Sequence, residues 1–354
     1  MTLRILFLGE NWFGSCARAC CQALRRLGHD VADVDVQTLV PQLRSRAARL
    51  MVRLAGRHLV AEYNRLVLDL GARFEPDVLV AFKAPLLQAR TLRTLRSRGV
   101  ALYNYYPDTS VLAHGGILPE ALPEYDCVFF TKRFTEADAR RHLRLRASTV
   151  VPHGYDPEIH ARWPLSARDR KQYGHDAIVA ATHTPHKEAV LDALVASMPE
   201  LDLRIWGNVW NERCRSSRLR PYLEGAALNG TAYARALQAA RINLAVMSGQ
   251  VAGASQGDET TTRTFEIPAC GGFMLHERSG ELLELFDEDR EVACFTGVGE
   301  LIEKMCFYLA HPDARARIAE RGHARCVPAY SYDVRMRALL DWHGAAAAGA
   351  GGRA

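Results

Sequence analysis

The sequence predicts an α/β protein of two doubly wound domains, each a parallel sheet covered by helices on both faces. Three observations lead there. At 354 residues the chain is long enough for two domains of roughly 100–200 residues each. Its composition, 48% hydrophobic, 24% charged and 8% aromatic, is that of an ordinary globular protein, which excludes wholesale disorder, a collagen-like repeat and a disulfide scaffold. Short apolar runs alternate with amphipathic stretches along nearly the whole chain. Strands that alternate with helices build parallel sheets, because each right-handed crossover must bury its helix against the sheet.

The elements follow in order. Strands are expected at Arg4–Leu8, Val31–Val36, Val78–Phe82, Val100–Tyr105, Cys127–Phe130 and Thr149–Val151, which makes the first half Rossmann-like. The stretch Val151-Pro152-His153-Gly154-Tyr155-Asp156-Pro157-Glu158 carries two prolines and a glycine near mid-chain, so it reads as an interdomain hinge. Alternation restarts with strands at Ala177–Ala181, Leu201–Ile205, Ile242–Val246, Phe273–Leu275 and Val292–Phe295, separated by helices such as His186–Ala196, Gly299–Ala310 and Ala314–Arg321. A last helix, Ser331–His343, precedes a run of alanine and glycine with no side chain to fix it, expected to be flexible. The domains expected are therefore 1–155 and 156–330, with helix 331–343 returning toward the first and a tail at 344–354. Open α/β sheets bind ligands beyond the carboxyl ends of their strands, so the site is expected in the cleft those ends define.

Charge and cysteine content narrow the class. The net charge is +5, from 45 basic and 40 acidic residues, and only Lys83, Lys132, Lys171, Lys187 and Lys304 among the basic ones are lysines. This mild, dispersed positivity suits an anionic small ligand but not nucleic acid, which demands a concentrated basic face. The runs Arg44–Arg57 and Arg140–Arg146 read as solvated helix faces. Nine cysteines, none in a C-x-x-C pair, read as reduced thiols and mostly small core residues, Cys16, Cys20 and Cys21 included. No apolar run reaches a membrane span and the N-terminus enters a strand pattern directly, so a cytoplasmic protein without a signal segment is expected.

Two short motifs carry chemistry only weakly. Gly9-Glu10-Asn11-Trp12-Phe13-Gly14-Ser15 joins the first strand to a helix, where backbone amides can face an anion or a sugar. It has neither the lysine of a P-loop nor a G-x-G-x-x-G, so ATP hydrolysis and hydride transfer are not supported, and a tight βα turn explains the glycines equally well. Asp33-Val34-Asp35 is a D-x-D string, the type of carboxylate pair that holds a divalent metal in one class of sugar-transferring enzymes. It sits in a strand alternation, where two aspartates are more simply polar strand-end residues, and no metal is expected. G-x-S-x-G is absent, and no cysteine has a local histidine context, so nucleophilic hydrolase chemistry has no support.

The richest segment runs Gly257-Asp258-Glu259-Thr260-Thr261-Thr262-Arg263-Thr264-Phe265-Glu266-Ile267-Pro268-Ala269-Cys270-Gly271-Gly272-Phe273. Its R-x-F-E-I-P-A-C-G-G-F portion resembles the corresponding segment of the CgeB-like glycosyltransferases, within the larger GT-B group. Leu8 to Trp12, Phe82 to Leu87, Asn104 to Asp108, Thr131 to Phe134, Pro152 to Asp156 and Trp206-Gly207 agree with the same pattern in the same order, so the resemblance covers about residues 1–340. It implies a GT-B architecture, two Rossmann-like domains facing each other across a cleft, with the acceptor in the N-terminal domain and the nucleotide-sugar donor in the C-terminal one.

A nucleotide-sugar site needs a carboxylate for the ribose, cations for the diphosphate and a helix N-terminus directed at it. Asp258 and Glu266, separated by seven residues, resemble the E-x7-E signature of retaining GT-B enzymes, with aspartate in the first position. The second carboxylate of that pattern, here Glu266, binds ribose, a charge-assisted contact contributing roughly 1.5–3 kcal/mol. Arg263 lies one helical turn before Glu266, and its fork fits phosphate; the competing reading is a surface ion pair with Glu266 or Glu259. Thr260, Thr261 and Thr262 read as capping residues. His183-Thr184-Pro185-His186-Lys187 follows the first strand of the second half, and Lys187 becomes the second phosphate candidate, with His183 beside it. Here the chain departs from the family, which carries a glycine where this sequence has Ala181-Thr182. Trp206 or Trp210 against a nucleobase, with Gly207 and Asn208 alongside, competes with both indoles as core anchors.

On the acceptor side the resemblance nominates Gly9, Asn11, Trp12, Lys83 and Asp108, and Asp108 or His114 is a candidate base, against turn-capping and structural readings. The function expected is transfer of a sugar from a nucleotide-diphosphate donor, such as a UDP-sugar, to an unidentified acceptor. It is expected to be metal-independent, without a cofactor, and retaining, as the D-x7-E resemblance implies, with Arg263 and Lys187 stabilising the leaving diphosphate. A non-catalytic nucleotide-sugar-binding or coat-associated protein of the same fold, and a nucleotide-sugar epimerase, are the alternatives.

Overall fold

A computed structural model of the chain describes residues 2–39 and 56–351, with side chains to residue 346. The basic run at 44–57 lies outside the described residues except for its last two positions. The chain divides into two compact units: residues 1–152 with 251–255 and 335–354, and residues 153–250 with 256–334.

The first unit holds a six-stranded parallel sheet of β1 (Arg4–Gly9), β2 (Asp30–Asp35), β3 (Val78–Phe82), β4 (Ala101–Tyr106), β5 (Cys127–Phe130) and β6 (Ser148–Val150) in the order β2-β1-β3-β4-β5-β6. Strands such as β3 and β5 read as continuous apolar runs because both their faces are covered. β5 is Cys-Val-Phe-Phe with every residue buried. The covering helices are α1 (Cys16–Arg26), α2 (Gly56–Phe74), α3 (Ala89–Ser97), α4 (Ile117–Ala121) and α5 (Arg133–His142). Ser15 caps α1 by accepting from Arg18 N, and Cys20 and Cys21 lie on its buried face. At the end of β1 a Cβ on Gly9 would sit 2.8 Å from that of Ala17, so the close seating of α1 on the strand is what requires this glycine. None of the nine cysteines is in a disulfide; Cys306 alone is exposed, Cys16 and Cys214 are half-buried, and the other six are buried.

The second unit repeats the plan with β7 (Ala177–Ala180), β8 (Leu203–Trp206), β9 (Ile242–Ala245), β10 (Met274–Glu277) and β11 (Ala293–Phe295), all parallel in the order β11-β10-β9-β7-β8. Its helices are α6 (Ala167–Tyr173), α7 (Pro185–Ser197), α8 (Trp210–Arg213), α9 (Gly230–Ala239), α10 (Arg263–Ala269), α11 (Gly280–Leu285), α12 (Gly297–Ala310) and α13 (Pro312–Cys326). In this sheet β7 continues to β8 on one side and has β9 on the other. The crevice beyond the carboxyl ends of β7 and β9 is therefore the topological switch point, where doubly wound sheets take ligands.

Trp206 and Trp210, each open to a nucleobase or a core reading in the sequence, both pack in the core. Trp210 is fully buried and its indole N–H donates to Ala181 O at 2.7 Å. Trp206 packs edge-on against Tyr173, 6.1 Å between ring centres, inside the core shared with Phe265 and Met274. Each buries a large apolar face, and the Trp210 indole finds a partner, without any ligand. Between them Gly207 donates to Ala226 O, and a Cβ there would lie 1.8 Å from Ala181 O. Gly207→Ala is expected to destabilise the unit by about 3 kcal/mol or more through overpacking against backbone, read as a lowered denaturant midpoint.

The chain ends in α14 (Tyr332–Gly351). Trp342 lies edge-on to Tyr103 and Phe129, and Tyr103 Oη is 2.8 Å from His343 Nδ1. The helix runs on through the alanine and glycine run as far as Gly351; alanine is the strongest helix former and offsets the interspersed glycines.

Candidate functional site

Two cations meet at the switch point of the second sheet. α7 starts there because Thr184 caps it, accepting from Lys187 N, with Pro185 in the first turn. Lys187 is not the exposed first-turn lysine that competed with the phosphate reading: it is 2% exposed, and its ammonium crosses from the β7 side to donate to Ser248 Oγ, just beyond β9, at 2.8 Å. Arg263, at the start of α10, is 7% exposed. One arm of its fork, Nη2, donates to Val246 O at 3.0 Å, while Nη1 is buried without a hydrogen-bond partner. No ion pair joins it to Glu266 or Glu259, so the surface salt-bridge reading is excluded.

Burial and the neighbouring Arg263 charge push the Lys187 ammonium down to about 7, against the opposing pull of Asp258 and Glu277. Burial lowers Arg263 as well. Placing two cations together out of water costs several kcal/mol unless an anion joins them. The fork of Arg263, held by one arm and open on the other, suits a phosphate oxygen.

The carboxylates of the D-x7-E stretch are placed differently from each other. Asp258 is set beside Ser248, to whose carbonyl its N–H donates at 3.0 Å. Glu266 is caged: Oε2 accepts from Tyr233 Oη at 2.8 Å and Thr262 Oγ1 at 3.1 Å, and Oε1 lies 3.8 Å from His160 Nε2. His160 Nδ1 accepts from Asp156 N, so the neutral ring carries its proton on Nε2, facing Glu266. Thr262 does not cap α10 with its side chain; it reaches one turn down to Glu266 instead. Thr260 and Thr261 also do other work, Thr260 donating to Glu281 and Thr261 N donating to Thr264. Tyr233→Phe removes a donor from a buried carboxylate and is expected to cost about 1–3 kcal/mol in folding free energy, measurable by urea denaturation.

Not every donor-side candidate joins this group. His183 is buried, its Nε2 2.6 Å from Glu188 Oε2 and its ring edge-on to Trp210. It lines a separate cavity with Pro185, Glu188 and Arg215, away from the one that adjoins Lys187. Asn208 contributes its carbonyl, which accepts from His183 N at 3.1 Å. Trp206 and Gly207 serve packing, as described.

In the first unit three candidates come together. Asp108 Oδ2 lies 2.5 Å from Lys83 Nζ and 2.7 Å from His114 Nε2. Burial alone would raise its pKa, but contacts with His114 and Lys83 outweigh burial and hold the carboxyl well below the usual range. So held, Asp108 is a poor proton acceptor and an effective orienter of His114, which becomes the better candidate base. Lys83 takes a positive φ of 60° to reach it. Asn11 donates to Asp33 Oδ2 at 3.0 Å and Trp12 Nε1 to Glu10 Oε2 at 2.9 Å. Asp33 also holds Arg25, and Asp35 accepts from Gln37 N, so the D-x-D carboxylates have structural partners. Among the described residues no group of three or more histidines, cysteines and carboxylates has metal-holding geometry.

Ser248, Tyr233, His160 and Glu277 were not singled out in the sequence. Ser248 could have been found, since it follows a strand where ligand groups gather. Tyr233 sits in an alanine-rich helix with no local signal.

Residues 183–341 match a family model described as glycosyl transferase-like. The matched segment contains Lys187, Ser248, Asp258, Arg263 and Glu266. No curated protein matches the chain. Among solved structures, Anabaena HepE in complex with UDP-glucose superposes with a TM-score of 0.67 at 14% identity, covering 97% of this chain and 100% of that one. Sucrose-phosphate synthase from Thermosynechococcus elongatus gives 0.66 at 14% identity, covering 98% and 100%. The α,α-trehalose 6-phosphate synthase of Burkholderia multivorans gives 0.60 at 11% identity, covering 100% and 99%. The fold, two parallel-sheet α/β domains, is that of GT-B glycosyltransferases. Among the described residues no helix is long and apolar enough to cross a membrane.

Proposed function

We propose that this protein is a glycosyltransferase that binds a UDP-sugar in its second unit and transfers the sugar, with retention and without a metal, to an acceptor bound by its first. The observation that carries the reading is the buried pair Lys187 and Arg263, with Arg263 Nη1 unpartnered, at the switch point of the second sheet. A diphosphate bridging these cations would neutralise both. The UDP choice draws on the HepE complex with UDP-glucose, and the R-x-F-E-I-P-A-C-G-G-F segment supports a CgeB-like subfamily.

In this reading an acceptor hydroxyl attacks the anomeric carbon, a new glycosidic bond forms there, and the bond to the diphosphate breaks with its electron pair leaving on UDP. Lys187 and Arg263 stabilise the charge that grows on the departing phosphate, which makes the catalysis electrostatic. They would do the work that a divalent cation does in enzymes that hold metal on paired carboxylates. Retention follows the D-x7-E pattern, with the acceptor proton passing to the leaving phosphate on the same face. His114, oriented by Asp108, is the base if inversion is observed instead.

The test is incubation of the protein with UDP-glucose and a panel of sugar acceptors, following UDP release and the anomeric configuration of the product by NMR. UDP release with a new axial linkage is expected. A new nucleotide-sugar without UDP would mean an epimerase, and UDP binding without any turnover across the panel would mean a binding protein.

A further inference from the structure

The cavity beside Lys187 has a composition that selects among sugars. It encloses about 420 Å³ and is lined by residues including His186, Ser248, Gln256, Asp258, Glu259 and Glu277, within the size range of small-molecule sites. Ser248 places it next to the buried ammonium. Two of its carboxylates, Glu277 and Glu259, are held by donors. Glu277 accepts from Met247 N and lies 2.9 Å from His186 Nε2, and Glu259 accepts from Gln256 Nε2 and Glu281 N. A carboxylate oxygen with one partner keeps acceptor capacity, so these groups can still accept from sugar hydroxyls.

The cations around this cavity are already engaged. Arg278 donates to Glu288, Glu300 and Thr296, His186 faces Glu277, and Lys187 is bonded to Ser248 on the phosphate side. A carboxylate carried by the sugar would therefore meet Asp258, Glu259 and Glu277 with no unengaged cation among the lining residues to pair it, and like charges brought together repel.

We infer that this cavity receives the sugar of the donor, and that the sugar is a neutral, hydroxyl-rich one and not an acidic one. The inference rests on the donor-site reading above, and the test keeps the two apart. Binding of UDP, UDP-glucose and UDP-glucuronate to the full-length protein is compared by calorimetry. UDP-glucuronate is expected to bind at least about tenfold more weakly than UDP-glucose, and Glu277→Gln to shrink that ratio. Equal or tighter binding of UDP-glucuronate by the native protein, with UDP itself binding, would overturn the sugar assignment and leave the donor site standing. Absence of UDP binding would overturn the donor site and the inference with it.

Discussion

Arg263→Ala is expected to weaken UDP binding at least about 100-fold. The residue is buried, one arm of its fork is fixed on Val246 O, and the other has no partner in the protein. Truncating one member of a buried, hydrogen-bonded charge pair costs about 2–5 kcal/mol in binding. Arg263→Lys is expected to recover little of this, because a single ammonium cannot both hold Val246 O and meet a phosphate oxygen in the fork geometry. Removing Arg263 also takes a positive charge away from Lys187, so the ammonium of that variant should titrate higher than in the native protein. Calorimetric titration with UDP checks the first effect, and the pH dependence of stability checks the second.

Lys187 is expected to make both stability and UDP affinity depend on pH, in opposite directions. Its ordinary value is 10.5, and in the fold it is pushed down to about 7, first by burial and then by Arg263, with Asp258 and Glu277 pulling the other way. Between about pH 7 and 10.5 the unfolded chain carries this lysine protonated and the folded chain carries it neutral. The unfolded state then binds more protons, so raising the pH through that window stabilises the ligand-free protein, by roughly 4 kcal/mol if Lys187 acts alone. UDP favours the charged form, so its affinity should fall as the pH rises above 7, by up to about tenfold per unit, with nearly one proton taken up per UDP at pH 8. Titrations in buffers of different ionisation enthalpy measure that uptake. Lys187→Met should abolish both pH effects and weaken UDP binding at pH 7, while leaving the ligand-free protein as stable or more so. A stabilised but non-binding variant is the signature of strain kept for a ligand.

The sheets were legible because a parallel strand buried on both faces writes itself as a short apolar run. Cys127–Phe130 and Val78–Phe82 begin and end where the apolar runs do. Lys187 and Arg263 were nominated because cations that follow strand ends or open helices in this segment match a recognisable pattern, and the fold buries both at one switch point. What could not be read was the identity of their partners. Whether Arg263 would pair with Glu266 depended on which way two side chains turn across one helical turn, and only the fold shows the guanidinium reaching Val246 O. Trp206 and Trp210 looked equally suited to a nucleobase or a core, since an indole serves both. The decision lay in Ala181 O, contributed by another strand's end, which Trp210 Nε1 meets. Likewise Lys83, Asp108 and His114 were nominated one by one, and their convergence on a single carboxylate oxygen depends on the neighbouring ends of β3 and β4.

The central claim is that the buried pair Lys187 and Arg263 is a diphosphate site. Thermal denaturation of the native protein and of a Lys187→Met, Arg263→Ala double variant, each with and without UDP at pH 7, tests it most directly. A ligand at 100 times its dissociation constant stabilises by about 2.7 kcal/mol, so a clear upward shift is predicted for the native protein and none for the variant. An equal UDP shift in both, or none in the native protein at millimolar UDP while the variant folds normally, would contradict the account.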